Sequence, residues 1–248
     1  MKILVTGATG YIGGRLISRL LKQGHDVRIF VRDSRRISGR SWLRQVEIVT
    51  GDLLQAESVS HALKGVDAAY YLVHSMVGSS DFADRDRRAA FNFALAAQDL
   101  EHVIYLGGLL PRTEEISEHL RSRSEVGFIL RAYCHTTEFR AGPIIGSGSA
   151  SFEMVRYLTE RLPVMIVPER ILNDVQPIAV RDIMAYLVRA LDHGPAGVVE
   201  VGAGIMPFKD MMEVYAEVRG LKRWIIPIHV PICTWHCCAL GRAGHPHN

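Results

Sequence analysis

The chain has no long apolar run, no block of charge of one sign and few cysteines. Its 248 residues hold four cysteines in all, with Cys134 alone and Cys233, Cys237 and Cys238 crowded near the end. That spacing is no disulfide framework, and it points to a reducing, cytoplasmic setting. No stretch approaches the apolar length that spans a bilayer, and Met1 leads straight into an apolar strand pattern without a basic leader, so neither membrane insertion nor export is expected. With 29 Lys and Arg against 26 Asp and Glu, the net charge is only +3. The basic residues are dispersed apart from Arg32, Arg35, Arg36 and Arg40, which argues against a nucleic-acid footprint. A linker rich in Pro, Gly or Ser is also missing, as is any internal repeat.

What remains is a chain with 48% apolar content, enough to bury the core of one α/β domain. KILVTG is a β-branched run ended by glycine, and YIGGRLISRLLKQG then spaces Ile12, Leu16, Ile17, Leu20 and Leu21 as one helical face. DVRIFVR, VEIVTGD and VDAAYYLVHS continue as strands. A helix over about 81–100, the strand HVIYLGG, a helix over SEHLRSRSEVGFILRA and the strand TTEFRAGPIIG bring the count to six. Helical crossovers between short strands predict a doubly wound parallel sheet. Residues 1–148 are read as this core. Residues 149–231, with further helix and strand signals, are read as a small C-terminal lobe for a substrate, integral to the same domain. Residues 232–248 are expected to form an irregular tail, the product of a truncation or a shifted reading frame. Its cysteines and histidines lack the paired spacing of a metal site, so no metal is expected.

Gly7, Gly10 and Gly13 stand as GATGYIG between the first strand and the first helix. Glycines there allow a tight turn and close approach of a pyrophosphate, which the helix N-terminus attracts through its free N–H groups. On these residues the chain resembles the extended and atypical short-chain dehydrogenase/reductases, including NmrA-like proteins. GDL at 51–53, YYLVHS, QPIAVRDI and VEVGAG add to the likeness. YLGGL, SGSASFEM and RLPVM are most similar to a bacterial group whose members commonly carry a further C-terminal domain.

The resemblance implies a Rossmann fold and a nicotinamide dinucleotide bound by Gly7, Thr9, Gly10, Tyr11, Ile12 and Gly13. It further implies Asp52 and Leu53 beside the adenine, Leu72, Val73 and His74 behind the cofactor, and Pro143 beside the carboxamide. NAD-binding members usually end the second strand in a carboxylate. Here Arg32 occupies that place, a match for a 2′-phosphate, so NADP is expected, with NAD and Asp33 as the alternative. The family's serine and its Tyr-x-x-x-Lys pair are absent: the fifth strand ends in Gly107 and Gly108. In the next helix His119 and Arg123 hold the spacing of the pair. His119 is the candidate acid/base and Arg123 the candidate holder of ribose or substrate, while Tyr70 and Tyr71 offer phenols in reserve. The expected function is an NADP(H)-dependent oxidoreductase on a small substrate. The alternative is a non-catalytic NADP(H) sensor acting through a protein partner.

Overall fold

A computed structural model describes residues 1–74, 81–111 and 116–229. The tail at 232–248 lies outside them. Two compact units emerge, the first from residues 1–153 and 176–204, the second from 154–175 and 205 onward.

The first unit begins with β1 (Lys2–Thr6), α1 (Tyr11–Lys22), β2 (Asp26–Val31) and β3 (Glu47–Thr50). It goes on through α2 (Ala56–Leu63), β4 (Ala68–Tyr71), α3 (Phe82–Ala96), β5 (His102–Gly108), α4 (Glu118–Tyr133) and β6 (Thr136–Ala141). Then come β7 (Ile144–Ile145) and α5 (Ala150–Arg161), the helix at which the chain passes into the second unit. In that unit lie β8 (Val164–Pro168) and β9 (Asp174–Val175), before the chain re-enters the first with β10 (Ile178–Ala179), α6 (Val180–His193) and β11 (Gly197–Val201). The closing elements are β12 (Met206–Pro207), α7 (Phe208–Val218) and β13 (Trp224–Ile228).

Seven strands form one sheet in the order β11-β6-β5-β4-β1-β2-β3, and every pairing in it is parallel. Chain order reverses beside β1, between β2 and β4, as a doubly wound sheet requires. The strands are apolar on both faces because helices cover both. Alternation along β1 sends Ile3 and Val5 into the core that holds Leu16, Ile17 and Leu187, and Leu4 into the one that holds Val59, Phe93 and Val126. The doubly wound parallel sheet expected from the sequence is thus the observed architecture.

Two expectations differ in detail. The sheet has a seventh strand: β11, expected within the small lobe, pairs with β6 from Gly197↔Thr137 to Val201↔Ala141. Its VVEV pattern identifies a strand, but a strand's partner lies outside its own sequence. The run TTEFRAGPIIG is also not one strand, since it breaks after Ala141. Pro143 has no N–H to give a ladder, and a Cβ at Gly142 would sit 2.1 Å from the Gln176 carbonyl oxygen.

The second unit is built on the parallel pair β8 and β13, in register from Val164↔Trp224 to Ile228. Met165 and Ile225 turn inward. Arg223 donates to the carbonyl oxygens of Thr159 and Glu160, tying β13 to the end of α5.

Candidate functional site

The glycine turn is built by close contacts. Gly7 lies at φ 72°, a left-handed conformation that glycine adopts at no steric cost, and a Cβ there would be 2.5 Å from the Leu72 carbonyl oxygen. Gly10 donates from its N–H to the Gly7 carbonyl at 2.9 Å and caps α1. At Gly13 a Cβ would lie 2.3 Å from the Gly7 oxygen. The glycines therefore let the turn fold back on the first turn of its own helix. No side chain caps the N-terminus of α1 and no acidic residue sits in its first turn. Its leading N–H groups and positive dipole end are open to an anion. Thr9 and Ile12 flank the turn, half-buried. Tyr11 packs with the Arg15 guanidinium 3.9 Å from its ring centroid, and its hydroxyl is buried without a hydrogen-bond partner among the described residues.

At the end of β2, Arg32 is exposed, while Asp33 is engaged. Its carboxylate accepts from Arg35 Nε at 3.0 Å and Arg35 Nη2 at 2.9 Å, and from the Arg35 backbone N–H at 3.0 Å. Those bonds from Arg35 hold the Asp33 pKa below the ordinary carboxylate range. Asp52 accepts from the Leu54 N–H at 3.0 Å, and its backbone accepts from Ser58 Oγ. Leu53 is buried and its carbonyl accepts from Asn92. Leu72 follows β4, with its N–H on Thr6 Oγ1 at 3.1 Å. Val73 packs into the core under α2 and α3. The Pro143 carbonyl accepts from the Ile178 N–H at 3.0 Å.

The chemistry end gathers around α4. His119 and His74, distant in sequence, stand edge to face with ring centroids 6.0 Å apart. Burial, then the Arg123 charge, lowers the His119 pKa. The same causes, with His119 as a third, push His74 down to about 4. His74 is exposed on its open side, and with both pKa values lowered both rings are neutral at pH 7. Arg123 Nε is buried without a hydrogen-bond partner among the described residues. The backbone carbonyl of Arg123 accepts from the Tyr105 hydroxyl at 3.0 Å.

Gly107 and Gly108 sit in tight quarters where a side chain would have to displace its neighbours. A Cβ at Gly108 would lie 2.7 Å from Leu120 Cδ2, and one at Gly107 would lie 3.1 Å from Glu138 Oε1. Tyr70 and Tyr71 are not reserve donors either. Tyr70 is fully buried with its hydroxyl on the Leu187 carbonyl at 2.8 Å, and Tyr71 packs edge-on against Phe93 and Tyr105. Desolvation raises both phenol pKa values.

Sequence reasoning missed Asp86. It is 6% exposed, accepts from Ser122 Oγ at 3.2 Å, and its charge acts on His74, His119 and Arg123. The signal was present: Asp86 falls on the same helical stripe as Phe82, Ala89, Ala90 and Phe93, where a carboxylate has a desolvation cost to offset.

A family described as NAD(P)H-binding matches residues 7–134, slightly more than half of the chain, and so takes in the glycine turn, Arg32 and the His119 helix. The chain belongs to this NAD(P)H-binding family. Its relatives include a 3 beta-hydroxysteroid dehydrogenase/Delta 5-->4-isomerase of Mycobacterium tuberculosis, 28% identical over 108 residues, 43% of this chain and 28% of that protein. Sterol demethylase protein B of Methylococcus capsulatus is 36% identical over 92 residues, 37% of this chain and 26% of that protein. The matched stretch is about a quarter of the length of each relative. Among solved structures, the Bordetella bronchiseptica enzyme WbmG in complex with NAD superposes with a TM-score of 0.75 at 16% identity, over 93% of this chain and 82% of that one. At that identity the likeness is one of fold, and it establishes the Rossmann architecture. The NAD(P)H-binding family and the short-chain dehydrogenase-like relatives agree with the resemblance carried by the glycine motif. Among the described residues no helix is long and apolar enough to cross a membrane, and no cluster of three or more His, Cys, Asp or Glu is arranged to hold a metal ion.

Proposed function

We propose that this NAD(P)H-binding protein is an NADP(H)-dependent oxidoreductase acting on a small carbonyl compound or the corresponding alcohol. The glycine turn at Gly7, Gly10 and Gly13 and the open end of α1 fit a pyrophosphate: a Cβ at Gly7 or Gly13 would strike the backbone of Leu72 or of the turn itself, so glycine lets the turn close tightly before the uncapped helix N-terminus. The preference for NADP rests on one observation above all. Asp33, the residue that would hold a ribose 2′-OH, has its carboxylate taken by Arg35, whereas Arg32 beside it keeps its guanidinium for a phosphate.

A bound nicotinamide would supply the hydride exchange with the carbonyl or alcohol carbon. The protein's part is the proton. In oxidation, neutral His119 accepts the hydroxyl proton as hydride leaves carbon. In reduction, the imidazolium returns it to the carbonyl oxygen. Arg123, whose Nε has no partner among the described residues, orients ribose or substrate by charged hydrogen bonds. Asp86 and Ser122 fix the polar floor from α3 and α4. His74 keeps a second neutral ring beside His119 and adds no competing charge at pH 7.

The test is a titration of the full chain with NADPH and NADH, repeated for Arg32→Asp. The wild type is expected to favour NADPH. The variant should shift preference toward NADH by about tenfold or more, the size of one charge-assisted contact. An unchanged NADPH/NADH ratio would remove Arg32 from the selectivity.

A further inference from the structure

On the outer side of α1 the first unit holds a cavity of about 600 Å³ lined by Gly14, Ser18, Arg19 and Lys22 of α1, Arg40 and Trp42 of the loop after β2, and Arg181 of α6, with Arg15 at its rim. Five of the residues around it are cationic and none is a carboxylate. Arg15 is engaged with the Ser147 carbonyl at 2.9 Å, and Arg181 with its neighbour Asp182 at 3.1 Å. Arg19, Lys22 and Arg40 have no side-chain hydrogen bond or ion pair among the described residues. Buried Trp42 forms a firm floor, donating from Nε1 to the Gly14 carbonyl at 3.1 Å. The α1 residues recur at i and i+4: Gly14, Ser18 and Lys22 in one row, Arg15 and Arg19 in the next. Their side chains therefore line one strip of helix about 12 Å long.

Three unpaired cations converging on a concave surface repel one another, and only an anion with several charges relieves all three. We infer that this cavity is a second ligand site, one that takes a small oligophosphate, separate from the dinucleotide turn. It shares no lining residue with Gly7, Gly10, Gly13 or Arg32. The strip is long enough to meet more than one phosphate, and Ser18 and Ser41 offer hydroxyl donors along it. A small ligand fits better than a nucleic acid because the cations line a hollow and not a ridge, and because the whole chain, these cations included, carries a net charge of only +3.

The experiment is a calorimetric titration of the full chain with sodium tripolyphosphate. It compares the wild type with Arg19→Gln/Arg40→Gln and with a charge-matched control, Arg170→Gln/Arg189→Gln, two exposed arginines that lie outside the cavity. The wild type and the control should bind alike, and the cavity variant at least about tenfold more weakly. Wild-type binding should persist in saturating NADPH. Equal binding by all three proteins overturns the site, as does no binding by the wild type. A loss confined to the control, or a loss of wild-type binding in saturating NADPH, places tripolyphosphate elsewhere and also overturns it. Parallel titrations with duplex DNA and with phosphatidylglycerol vesicles complete the test. If either binds through Arg19 and Arg40 where tripolyphosphate does not, the ligand is a macromolecular surface and the oligophosphate assignment fails.

Discussion

Gly13 and Gly14 are neighbours in α1, and replacing each by alanine should have opposite effects. In a helix the exchange gains about 0.8–1 kcal/mol from backbone entropy. At Gly14 the nearest atom to a new Cβ is the Ala8 carbonyl oxygen at 3.5 Å, an ordinary contact, so that gain survives. At Gly13 the Cβ would stand 2.3 Å from the Gly7 oxygen, 2.9 Å from the Gly7 carbonyl carbon and 3.1 Å from Ala8 Cα. All three are backbone atoms of the turn and cannot rotate away. Overpacking of this kind costs about 1–3 kcal/mol, and more when backbone must move, which leaves a net loss of about 2 kcal/mol. For a chain of this size 1 kcal/mol moves Tm by about 2–4 °C. Calorimetric scans should therefore place Gly14→Ala about 2–4 °C above the wild type and Gly13→Ala about 4–8 °C below it. Gly13→Ala should also lose NADPH affinity, because the displaced turn is the proposed pyrophosphate cradle. Shifts of the same sign, or a Gly13→Ala variant as stable as the wild type with undiminished NADPH binding, would refute the reasoning.

His119→Ala should leave NADPH binding nearly intact and lower turnover by about a hundredfold, as loss of a general acid/base does. Because its folded pKa lies below 6.5, wild-type carbonyl reduction should quicken as pH falls below 6.5 while alcohol oxidation slows. A variant that keeps both rate and profile would retire the imidazole. His102 is 3% exposed, bonded through Nε2 to Thr137 Oγ1, and burial lowers its pKa to about 4. A depressed histidine gives full stability above its unfolded value of about 6.5 and loses it as pH falls from there toward about 4. Urea midpoints should thus drop between pH 7 and pH 5, and less steeply in His102→Gln, with the remaining histidine slope due to His25, His74 and His119. Equal slopes would remove His102 from the acid sensitivity. Glu138, 1% exposed, holds ion pairs with both Arg131 and Arg140, so Glu138→Ala should cost about 3–5 kcal/mol by stranding two guanidinium groups. A denaturant midpoint within error of the wild type would show that those arginines find other partners.

Much of this was legible from local pattern. The glycine turn, the strand before it and the helix after it are contiguous, so GATGYIG carries its own context, and the same holds for the arginine at the end of β2. The His119 and Arg123 spacing was readable because both lie on one helix. What lay beyond reach depends on contacts distant in sequence. His74 meets His119 across 45 positions, and the engagement of Asp33 turned on which rotamer Arg35 adopts. The place of β11 depended on β6, some 60 residues away, and no local pattern names a strand's neighbour. The room filled by Leu120 beside Gly108 is likewise a fact of packing and not of sequence.

The partnership of β11 with β6 bears on how the chain is assembled during translation. Residues 1–141 supply six of the seven strands, yet β6 gains its outer neighbour only after Val201 has been made. At about 5–20 residues per second, β6 waits some seconds with a bare row of N–H and C=O groups, the kind of edge on which chains aggregate. A cut after residue 148 would make that interval permanent. The edge passes from β6 to β11, which is synthesised after the other six strands, so the nascent protein acquires its final edge only once the detour through residues 154–175 is complete.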